Sequence, residues 1–187
     1  MTEKEKMISG QIYQPWDDVL TRDREMAKDL CFQLNQTLPS DRQTRASIVS
    51  NLLDLEGTAW IESPFNCDYG YNIKAGNGFY ANHGCTILDA APVTFGSDCL
   101  LAPGVVISTA THPINPQKRA AGEEYALAIT VGDNVWFGAN VTVCPGVTIG
   151  DNVVIGAGSV VVRDLPSNTV CVGSPAKPIR SIDEEHP

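Results

Sequence analysis

The sequence predicts a mainly β fold, in which a parallel β-helix of hexapeptide repeats follows a short helical N-terminal region. Three observations predict it. An aliphatic or aromatic residue recurs at every sixth position from about residue 70 onward. The chain of 187 residues contains 16 Gly and 12 Pro, and only 19% of its residues are charged, compared with about 25% in a typical globular chain. Such a chain turns often and packs aliphatic side chains, which argues against a coiled coil and against disorder.

Residues 1–56 are predicted to form a helical N-terminal region of two or three segments. Asp17 can cap a helix that Pro39 breaks, and residues 40–43 form a capping box for a further helix that Gly57 can stop. The apolar positions recur at helical spacing in both segments. They are Leu20, Ala27, Leu30 and Leu34 in the first and Ile48, Leu52 and Leu55 in the second. This region can cover one end of the β-helix.

Residues 57–187 are predicted to form the β-helix and its C-terminal cap. One apolar side chain per six residues points inward in this fold, and stacked copies make a continuous column. Early repeats start at Ile73 and Phe79, and a second phase then runs to the end of the repeat. Its inward residues are Phe95, Leu101, Ile107, Val131, Phe137, Val143, Ile149, Ile155 and Val161. Three hexapeptides make one triangular coil, so the pattern predicts about five coils.

The repeat is interrupted at about residues 110–130. Residues 111–113 (Thr-His-Pro) and 123–125 (Glu-Glu-Tyr) lie in this segment, which is too polar and irregular for a strand. We therefore expect a loop extruded from the β-helix, and loops on a rigid scaffold often carry catalytic residues. After Pro166 the sequence leaves the repeat again and can cap the other end.

The composition excludes several classes of function. The net charge is −9, from 13 Lys and Arg against 22 Asp and Glu, whereas binding to nucleic acid or anionic lipid needs clustered cations. No apolar run approaches the ~20 residues of a membrane span. The N-terminus lacks the apolar core of a signal peptide, so a cytoplasmic location is expected. The six cysteines include no Cys-x-x-Cys pair, which favours small buried side chains over a zinc or redox motif.

Seven segments of the chain match the pattern of a known family. In order, they are residues 7–13, 64–70, 79–82, 109–113, 133–138, 145–150 and 173–177. The most specific are Phe-Tyr-Ala-Asn at residues 79–82 and Thr-Ala-Thr-His-Pro at residues 109–113. On these residues the chain resembles the hexapeptide-repeat acyltransferases, and it is most similar to their maltose and galactoside O-acetyltransferase branch.

This resemblance implies a left-handed parallel β-helix that assembles as a homotrimer, with active sites between adjacent subunits. It also implies that acetyl-CoA is the co-substrate, that no metal is required, and that acetyl passes directly to a hydroxyl of a maltose- or glucose-like sugar. Ala90 stands where the galactoside branch has a second acidic residue, which argues against galactoside-like recognition.

His112 and Asn82 are the catalytic candidates. A sugar hydroxyl is a poor nucleophile at neutral pH, and a histidine with a reference pKa near 6.5 suits the removal of its proton. His112 matches the family's general base, although a loop histidine bonded to backbone is the structural alternative. Asn82 matches the residue that stabilises the oxyanion at the thioester of the coenzyme. The alternative is a corner asparagine of the β-helix, as expected for Asn134 and Asn152.

Five residues are candidates for the acceptor site. Asp68 and Tyr80 match positions that line the family's acceptor pocket, and Asp89 is a further candidate. Glu124, in the loop after the catalytic histidine, could contact the acceptor or orient that histidine. Arg24 falls at a matching basic position of the N-terminal region, for which an exposed helix face is the alternative.

The resemblance also implies a coenzyme site toward the C-terminal end of the β-helix. Arg163, Lys177 and Arg180 are the only cations between residues 120 and 187, and the phosphates of CoA would lie there, unless these cations only solvate a cap. Small residues let backbone amides approach the pantetheine arm, and Trp136 either flanks that arm or packs at a subunit contact. The small residues are Ala139 and Ala157.

Three alternative functions are open at this point. The γ-class carbonic anhydrases share the fold but bind zinc through three histidines, whereas this chain has Gln117 where a second loop ligand would sit. Besides His112, only His83 and His186 are present. An acceptor such as chloramphenicol or serine would keep the same chemistry with another substrate. A non-catalytic β-helix binding module would not require His112, Asn82 and the three late cations together.

Overall fold

Short strands wound into coils follow three helices. The structure, a computed structural model, describes residues 1–182, and His186 lies outside them. The helices are α1 (Glu3–Ile8), α2 (Asp18–Gln36), α3 (Arg42–Leu52) and α4 (Pro116–Ala120). The strands are β1 (Asp54–Leu55), β2 (Ala59–Ile61), β3 (Asn66–Cys67), β4 (Ile73–Ala75), β5 (Phe79–Ala81), β6 (Thr86–Leu88), β7 (Val93–Phe95), β8 (Leu100–Leu101), β9 (Val106–Ser108), β10 (Ala110–Thr111), β11 (Tyr125–Ala126), β12 (Ile129–Val131), β13 (Trp136–Phe137), β14 (Thr142–Val143), β15 (Thr148–Ile149), β16 (Val154–Ile155), β17 (Val160–Val161), β18 (Thr169–Gly173) and β19 (Ala176–Ser181).

Three sheets form the faces of the parallel β-helix. The first sheet contains β1, β4, β7, β12 and β15, and the third contains β3, β6, β9, β14 and β17. The second contains β2, β5, β8, β13, β16 and β18, with β19 at its edge. Each coil contributes a strand to the first, then the second, then the third sheet. The six parallel strands of the second sheet therefore mark about six coils. The predicted fold class is thereby confirmed.

The predicted hexapeptide phase forms the core. All nine of its inward side chains are at most 2% exposed. The structure has one coil more than the sequence predicts because a first coil, residues 54–67, precedes the clear repeat. Ile61 and Cys67 are buried and continue the six-residue spacing back from Ile73. Polar residues rather than small ones follow both, which hides this coil from the pattern.

Asparagines, one aspartate and several glycines form the left-handed corners of the coils. Asn134 and Asn152 have φ angles of 55° and 54°, in the region that few residues other than Gly, Asn and Asp adopt. The side-chain amide of Asn134 donates to Asn152 Oδ1 (3.2 Å), and that of Asn152 donates to Asn168 Oδ1 (2.8 Å). The structure thus confirms that both are corner residues, joined in a ladder that runs along the β-helix.

The N-terminal helices close the first coil. Asp17 caps α2 as predicted, and α2 ends at Gln36, before Pro39. The cap of α3 is Asp41, one residue later than the predicted capping box requires, because its carboxylate accepts the amide of Thr44 at 3.2 Å. Helix α2 packs against β3, and α3 packs against β1 and β2.

Arg45 anchors these helices on the first coil. It is 3% exposed and donates to the carbonyls of Leu34 (3.1 Å) and Thr37 (3.3 Å) at the end of α2. It also donates to Ser63 Oγ (3.1 Å) and to the carbonyl of Ile61 (2.7 Å). A cation is favoured at the C-terminus of a helix, so one side chain ties α2, α3 and β2 together.

The interruption of the repeat is an ordered excursion. Strands β10 and β11 pair antiparallel, with Ala110 opposite Ala126 and Thr111 opposite Tyr125. Helix α4 occupies the tip, and Asn115 caps it. The sequence predicts only an irregular loop here, because two-residue strands that pair across a long connection leave no periodic pattern. At the other end, β18 extends the second sheet and β19 folds back on it antiparallel.

Candidate active site

The predicted site residues fall at two corners of the β-helix. His112 and Glu124 lie on the excursion, which leaves the corner between the third and first sheets, after β9 and before β12. We call this the loop corner. Asn82 directly follows β5 and lies at the corner between the second and third sheets, which we call the asparagine corner. Within one chain, the width of the third sheet separates the two corners.

A cavity of about 260 Å³ lies at the loop corner, where the N-terminal helices meet the excursion. We call it the loop-corner cavity. Arg24, Asp68 and Glu124, three of the five predicted acceptor residues, line it. The other lining residues are Tyr13, Pro15, Trp16, Lys28, Tyr69 and Ala90. No motif in the sequence predicts a role for Tyr13, Trp16, Lys28 or Tyr69, although Tyr13 and Tyr69 lie inside two of the matched segments.

Arg24 is held in a defined position on the wall of this cavity. Its guanidinium donates to Tyr69 Oη at 2.6 Å and to the carbonyl of Pro15 at 2.5 Å. Burial raises the pKa of Tyr69 to about 12, although the hydrogen bond from Arg24 opposes that shift. The phenol therefore stays neutral and accepts from the guanidinium. Arg24 is half-buried, so it does not lie on a fully exposed helix face.

The two carboxylates of the cavity differ in their surroundings. Burial raises the pKa of Asp68, and the negative charge of Glu124 raises it further, whereas Lys28 and Arg24 lower it. The hydroxyl of Tyr13 donates to Glu124 Oε1, and the Tyr13 amide donates to the Glu124 carbonyl at 3.0 Å. Two acidic residues and two basic residues (Asp68, Glu124, Arg24 and Lys28) thus line the same cavity. Tyr13 of the N-terminal region holds Glu124 in place.

Asp89 has a different place from the one the sequence predicts. Its side chain is 0% exposed, and Oδ1 accepts the backbone amides of Asp68 (3.0 Å) and Tyr69 (2.9 Å). Burial raises its pKa to about 6, and its Oδ2 has no hydrogen-bond partner among the described residues. Asp89 therefore supports the wall of the cavity from behind, and we revise its expected contact with an acceptor to the positioning of Asp68 and Tyr69.

His112 stands at the end of the short antiparallel ladder. The pairing ends at Thr111 and Tyr125, so His112 follows one strand end and Glu124, which pairs with Tyr13 and lines the loop-corner cavity, precedes the other. The His112 side chain is exposed. The backbone of the excursion therefore brings the predicted base next to one of the predicted acceptor residues.

Asn82 differs from the corner asparagines. It is half-buried and is not among the described residues with positive φ, so its corner does not require an asparagine for backbone reasons. Its Oδ1 accepts the amide of His83 at 2.8 Å, which leaves the two N–H bonds of the side-chain amide available as donors. This arrangement suits the stabilisation of a negative charge.

Tyr80 and Trp136 lie in one column on the outer surface of the second sheet. Strand pairing places Trp60, Tyr80, Leu100 and Trp136 in register. Trp136 is 52% exposed and Leu100 is 46% exposed. Tyr80 and Trp60 line a separate shallow cavity of about 380 Å³, so within one chain Tyr80 lies apart from the loop-corner cavity.

Small residues line the asparagine corner beyond Asn82. Ala139 is half-buried and Ala157 is exposed, and a Cβ on Gly138 would lie 2.6 Å from the Ala157 nitrogen. A Cβ on Gly158 would meet no atom within 4 Å. The backbone of this corner is therefore open to an extended ligand at Ala157 and Gly158, whereas Gly138 packs tightly against the next coil.

The three late cations lie near the C-terminal end of the β-helix but on two different sheets. Lys177 and Arg180 lie on β19, opposite Val172 and Val170 of the second sheet, whereas Arg163 follows β17 of the third sheet. All three are exposed. The salt bridges found among residues 1–182 involve other cations.

Two features are absent from the part of the chain that the structure describes. Residues 1–182 contain no group of three or more His, Cys, Asp or Glu side chains placed to hold a metal ion. Over the same residues, no helix combines the length and the hydropathy that crossing a bilayer requires.

Comparison with known proteins places both halves of this description in one family. The maltose acetyltransferase hexapeptide capping motif matches residues 6–54, and the bacterial transferase hexapeptide repeat matches residues 128–163. A Staphylococcus haemolyticus protein named as an acetyltransferase is 49% identical over 187 residues, which cover 98% of this chain and 97% of that protein.

The solved structures agree in fold and in family. A maltose O-acetyltransferase from Clostridium difficile is 46% identical with a TM-score of 0.94, over 98% of this chain and 99% of that one. A galactoside acetyltransferase in complex with coenzyme A is 40% identical with a TM-score of 0.95, over 98% and 92% of the two chains. A Vibrio cholerae hexapeptide-repeat acetyltransferase in complex with acetyl-CoA is 34% identical with a TM-score of 0.91, over 98% and 100%. These comparisons confirm the resemblance, and this chain belongs to the hexapeptide-repeat acetyltransferases of the maltose and galactoside O-acetyltransferase type.

Proposed function

We propose that this acetyltransferase moves the acetyl group of acetyl-CoA to a hydroxyl of a maltose- or glucose-like sugar. The observation that carries the proposal is the loop-corner cavity, where Arg24, Asp68 and Glu124 lie beside aromatic rings. Carboxylates and a guanidinium can hydrogen-bond to sugar hydroxyls, and aromatic faces can pack against a sugar ring. Two structural relatives are named as maltose O-acetyltransferase and galactoside acetyltransferase, which supports the same class of acceptor.

His112 acts as the general base in this proposal. Acetyl-CoA supplies a thioester whose carbonyl carbon the sugar oxygen attacks. The neutral imidazole takes the hydroxyl proton as the new C–O bond forms and passes it to the CoA sulfur as the C–S bond breaks. The products are therefore the acetylated sugar and the CoA thiol. Assistance of this kind contributes about 10²–10⁴-fold to the rate.

Asn82 stabilises the charge that develops on the carbonyl oxygen. Its Oδ1 already accepts the His83 amide at 2.8 Å, so the two N–H groups of the side-chain amide are the donors that can reach that oxygen. Loss of one such donor typically lowers kcat by about 10²–10³-fold. Tyr80, two residues earlier on the same outer surface, completes the acceptor side together with the residues of the loop-corner cavity.

The coenzyme is proposed to lie along the asparagine corner. Ala139 and Ala157 let the pantetheine arm approach the backbone, and Trp136 flanks the arm from the second sheet. Arg163, Lys177 and Arg180 bind the phosphates, since charge-assisted hydrogen bonds to phosphate are stronger than neutral ones. Bound CoA or acetyl-CoA in two structural relatives supports this assignment, and no metal takes part in it.

The proposal requires a homotrimer whose active sites lie between chains. Within one chain, His112 and Asn82 lie at separate corners, so neither corner carries both catalytic groups. In a closed ring of three copies, the loop corner of one chain can meet the asparagine corner of the next. The exposed side chain of Leu100 on the second sheet supplies apolar surface for that contact.

The first experiment follows CoA thiol release from acetyl-CoA with maltose, glucose, a galactoside, serine and chloramphenicol as acceptors. We expect turnover with maltose or glucose that falls by about 10²–10⁴-fold in His112→Ala. His83→Ala is the matched control and should retain activity. Turnover with serine or chloramphenicol alone would overturn the sugar acceptor. Absence of both turnover and acetyl-CoA binding would favour a binding module.

A mixing experiment tests whether each site uses two chains. Neither His112→Ala nor Asn82→Ala should be active as a pure protein. When the two variants are unfolded together and refolded as random trimers, about a quarter of the sites receive both intact residues from neighbouring chains. We expect about a quarter of the wild-type rate. No recovery in mixtures that sediment as trimers would show that both residues act within one chain.

A further inference from the structure

Two cysteine thiols face each other beneath the N-terminal helices. Cys31 lies on α2 and Cys67 on β3, and their sulfur atoms are 3.7 Å apart. A disulfide bond is about 2.05 Å long, so modest side-chain adjustment separates this contact from a covalent bond. No other two sulfurs in the described part of the chain are recorded within hydrogen-bonding distance of each other. The contact joins two different structural units, since α2 belongs to the N-terminal helices and β3 to the first coil.

The pair lines an open cavity despite its low exposure. Each cysteine is 4% exposed, yet both line a cavity of about 560 Å³ between α2 and the third sheet. Lys28 and Asp68 line this cavity and also the loop-corner cavity. A small oxidant can therefore reach the sulfurs from solvent, and a change at the sulfurs acts next to two residues of the proposed acceptor site.

The two sulfurs have different chemical character. The hydrogen bond from Cys67 lowers the pKa of Cys31, whereas the same contact and burial raise the pKa of Cys67. Lys28, one helical turn before Cys31, lines the same cavity and adds positive charge to it. A thiolate is the reactive form of cysteine, and Lys28 lies one helical turn from Cys31 in the same cavity, so Cys31 is taken as the attacking sulfur and Cys67 as the one that resolves the product.

We propose that Cys31 and Cys67 form a redox-sensitive dithiol that hydrogen peroxide converts into an intramolecular disulfide. The Cys31 thiolate attacks one peroxide oxygen, an S–O bond forms, the O–O bond breaks and hydroxide leaves. The Cys67 sulfur then displaces the hydroxyl group from Cys31, and the Cys67 proton leaves with that group as water. Two thiols lose two electrons in total, and one peroxide is reduced to two molecules of water once the hydroxide is protonated.

The disulfide would pin α2 to the third sheet beside Asp68. It would close a loop across residues 31–67 and limit movement of the helix that carries Arg24 and Lys28. If the proposed sugar acceptor site is correct, oxidation changes KM for the sugar more than KM for acetyl-CoA. That consequence rests on the proposed function, whereas formation of the disulfide does not.

The test is a mass-spectrometric map of the thiols before and after exposure of the full-length protein to hydrogen peroxide. Free thiols are blocked with N-ethylmaleimide, and the chain is cut with trypsin without reduction. Trypsin places Cys31 in the peptide of residues 29–42 and Cys67 in the peptide of residues 46–74, each with no other cysteine. We expect these two peptides to appear as one disulfide-linked species that dithiothreitol separates.

Two further measurements separate a specific dithiol from general oxidation. The oxidised wild type should melt several degrees above the reduced protein, because a cross-link restricts the unfolded chain. Cys31→Ser should lose both the linked peptide and this shift. Cys144→Ser, which removes the half-buried thiol outside the pair, should keep both. Full N-ethylmaleimide labelling of Cys31 and Cys67 in the unfolded protein after peroxide treatment would overturn the proposal, whatever the enzyme assay shows. So would linkage of either cysteine to Cys144.

Discussion

The β-helix and the loop corner are built by different physical means. In the β-helix, each coil contacts the coils before and after it, and the same apolar position recurs every six residues, as with Leu101 and Ile107. At the loop corner, single polar contacts join distant parts of the chain. Arg24 reaches Tyr69 across 45 residues and Tyr13 reaches Glu124 across 111 residues. The stability of the β-helix is therefore spread over its whole column of apolar side chains. The geometry of the loop corner depends on a few polar side chains.

This difference separates stability from function in the molecule. If one apolar side chain of the repeat is removed, the path of the backbone is kept, because the neighbouring coils define the strand register. A polar cluster has no such redundancy, since each donor serves particular acceptors. We therefore expect β-helix substitutions to change the free energy of unfolding and loop-corner substitutions to change the arrangement of the cavity. The following predictions measure how much stability the apolar column, the polar contacts and the corners each contribute, in decreasing order of expected effect.

The largest loss of stability is expected from Phe137→Ala in the middle of the column. Phe137 is 0% exposed, and truncation of a buried Phe typically costs about 3–5 kcal/mol. Urea unfolding followed by circular dichroism measures the loss. Thr148→Ala, on the outer surface of β15, is the matched control and should change stability by less than about 0.5 kcal/mol. A loss below about 1 kcal/mol for Phe137→Ala would mean that the column is far more tolerant than its packing indicates.

Arg45→Met tests the attachment of the N-terminal helices to the first coil. The substitution removes the donor that serves four acceptors, among them the carbonyl of Ile61 at 2.7 Å, and we expect a loss of about 2–4 kcal/mol. Arg42→Met is a close control, because Arg42 and Arg45 lie 5.8 and 5.9 Å from the Trp60 ring, but Arg42 is exposed. Equal losses in both variants would show that the contact with Trp60, rather than the buried hydrogen bonds, holds the helices.

The same division explains what the sequence could predict. The six-residue period identifies inward residues because every coil repeats the same environment, and all nine positions of the main phase are buried. The pattern does not predict the first coil, because polar residues follow Ile61 and Cys67. The pattern also does not predict the pairing of β10 with β11, because two-residue strands are too short to show a period. The fold can therefore be predicted from the local sequence pattern wherever the structure repeats.

The candidate site is harder to predict from the sequence, because its contacts do not repeat. The resemblance predicts Arg24 and Asp68, and the place of Glu124 in the loop after His112 predicts Glu124, but no spacing rule connects the three residues to one cavity. Tyr13 and Tyr69, which hold Glu124 and Arg24, gave no signal apart from their place in matched segments. Asp89 shows the limit of residue type as evidence, since an acidic side chain near a site can serve the backbone behind it.

Asp89→Asn tests that supporting role through the pH dependence of stability. Burial raises the pKa of Asp89 from 3.8 to about 6, so between these values the folded chain holds a proton that the unfolded chain releases. The stability due to protonated Asp89 is therefore complete below about pH 4 and is lost as the pH rises through about 6. We expect wild type to lose about 2–3 kcal/mol more than Asp89→Asn between pH 4 and pH 7. Parallel unfolding curves at pH 4, 5, 6 and 7 measure the difference, and identical profiles would contradict the burial of this carboxyl.

The smallest effect is expected at a corner of the β-helix, where Asn152→Ala and Asn152→Gly form a matched pair. Both variants remove the ladder contacts with Asn134 and Asn168. Only alanine adds backbone strain, because residue 152 has a φ of 54° and glycine adopts that region freely. Alanine should therefore be less stable than glycine by about 1–2 kcal/mol, as measured by urea unfolding. Equal stabilities would mean that neighbouring coils absorb the strain by rotating the corner, and the register of the β-helix would then depend less on its corners than on its apolar column.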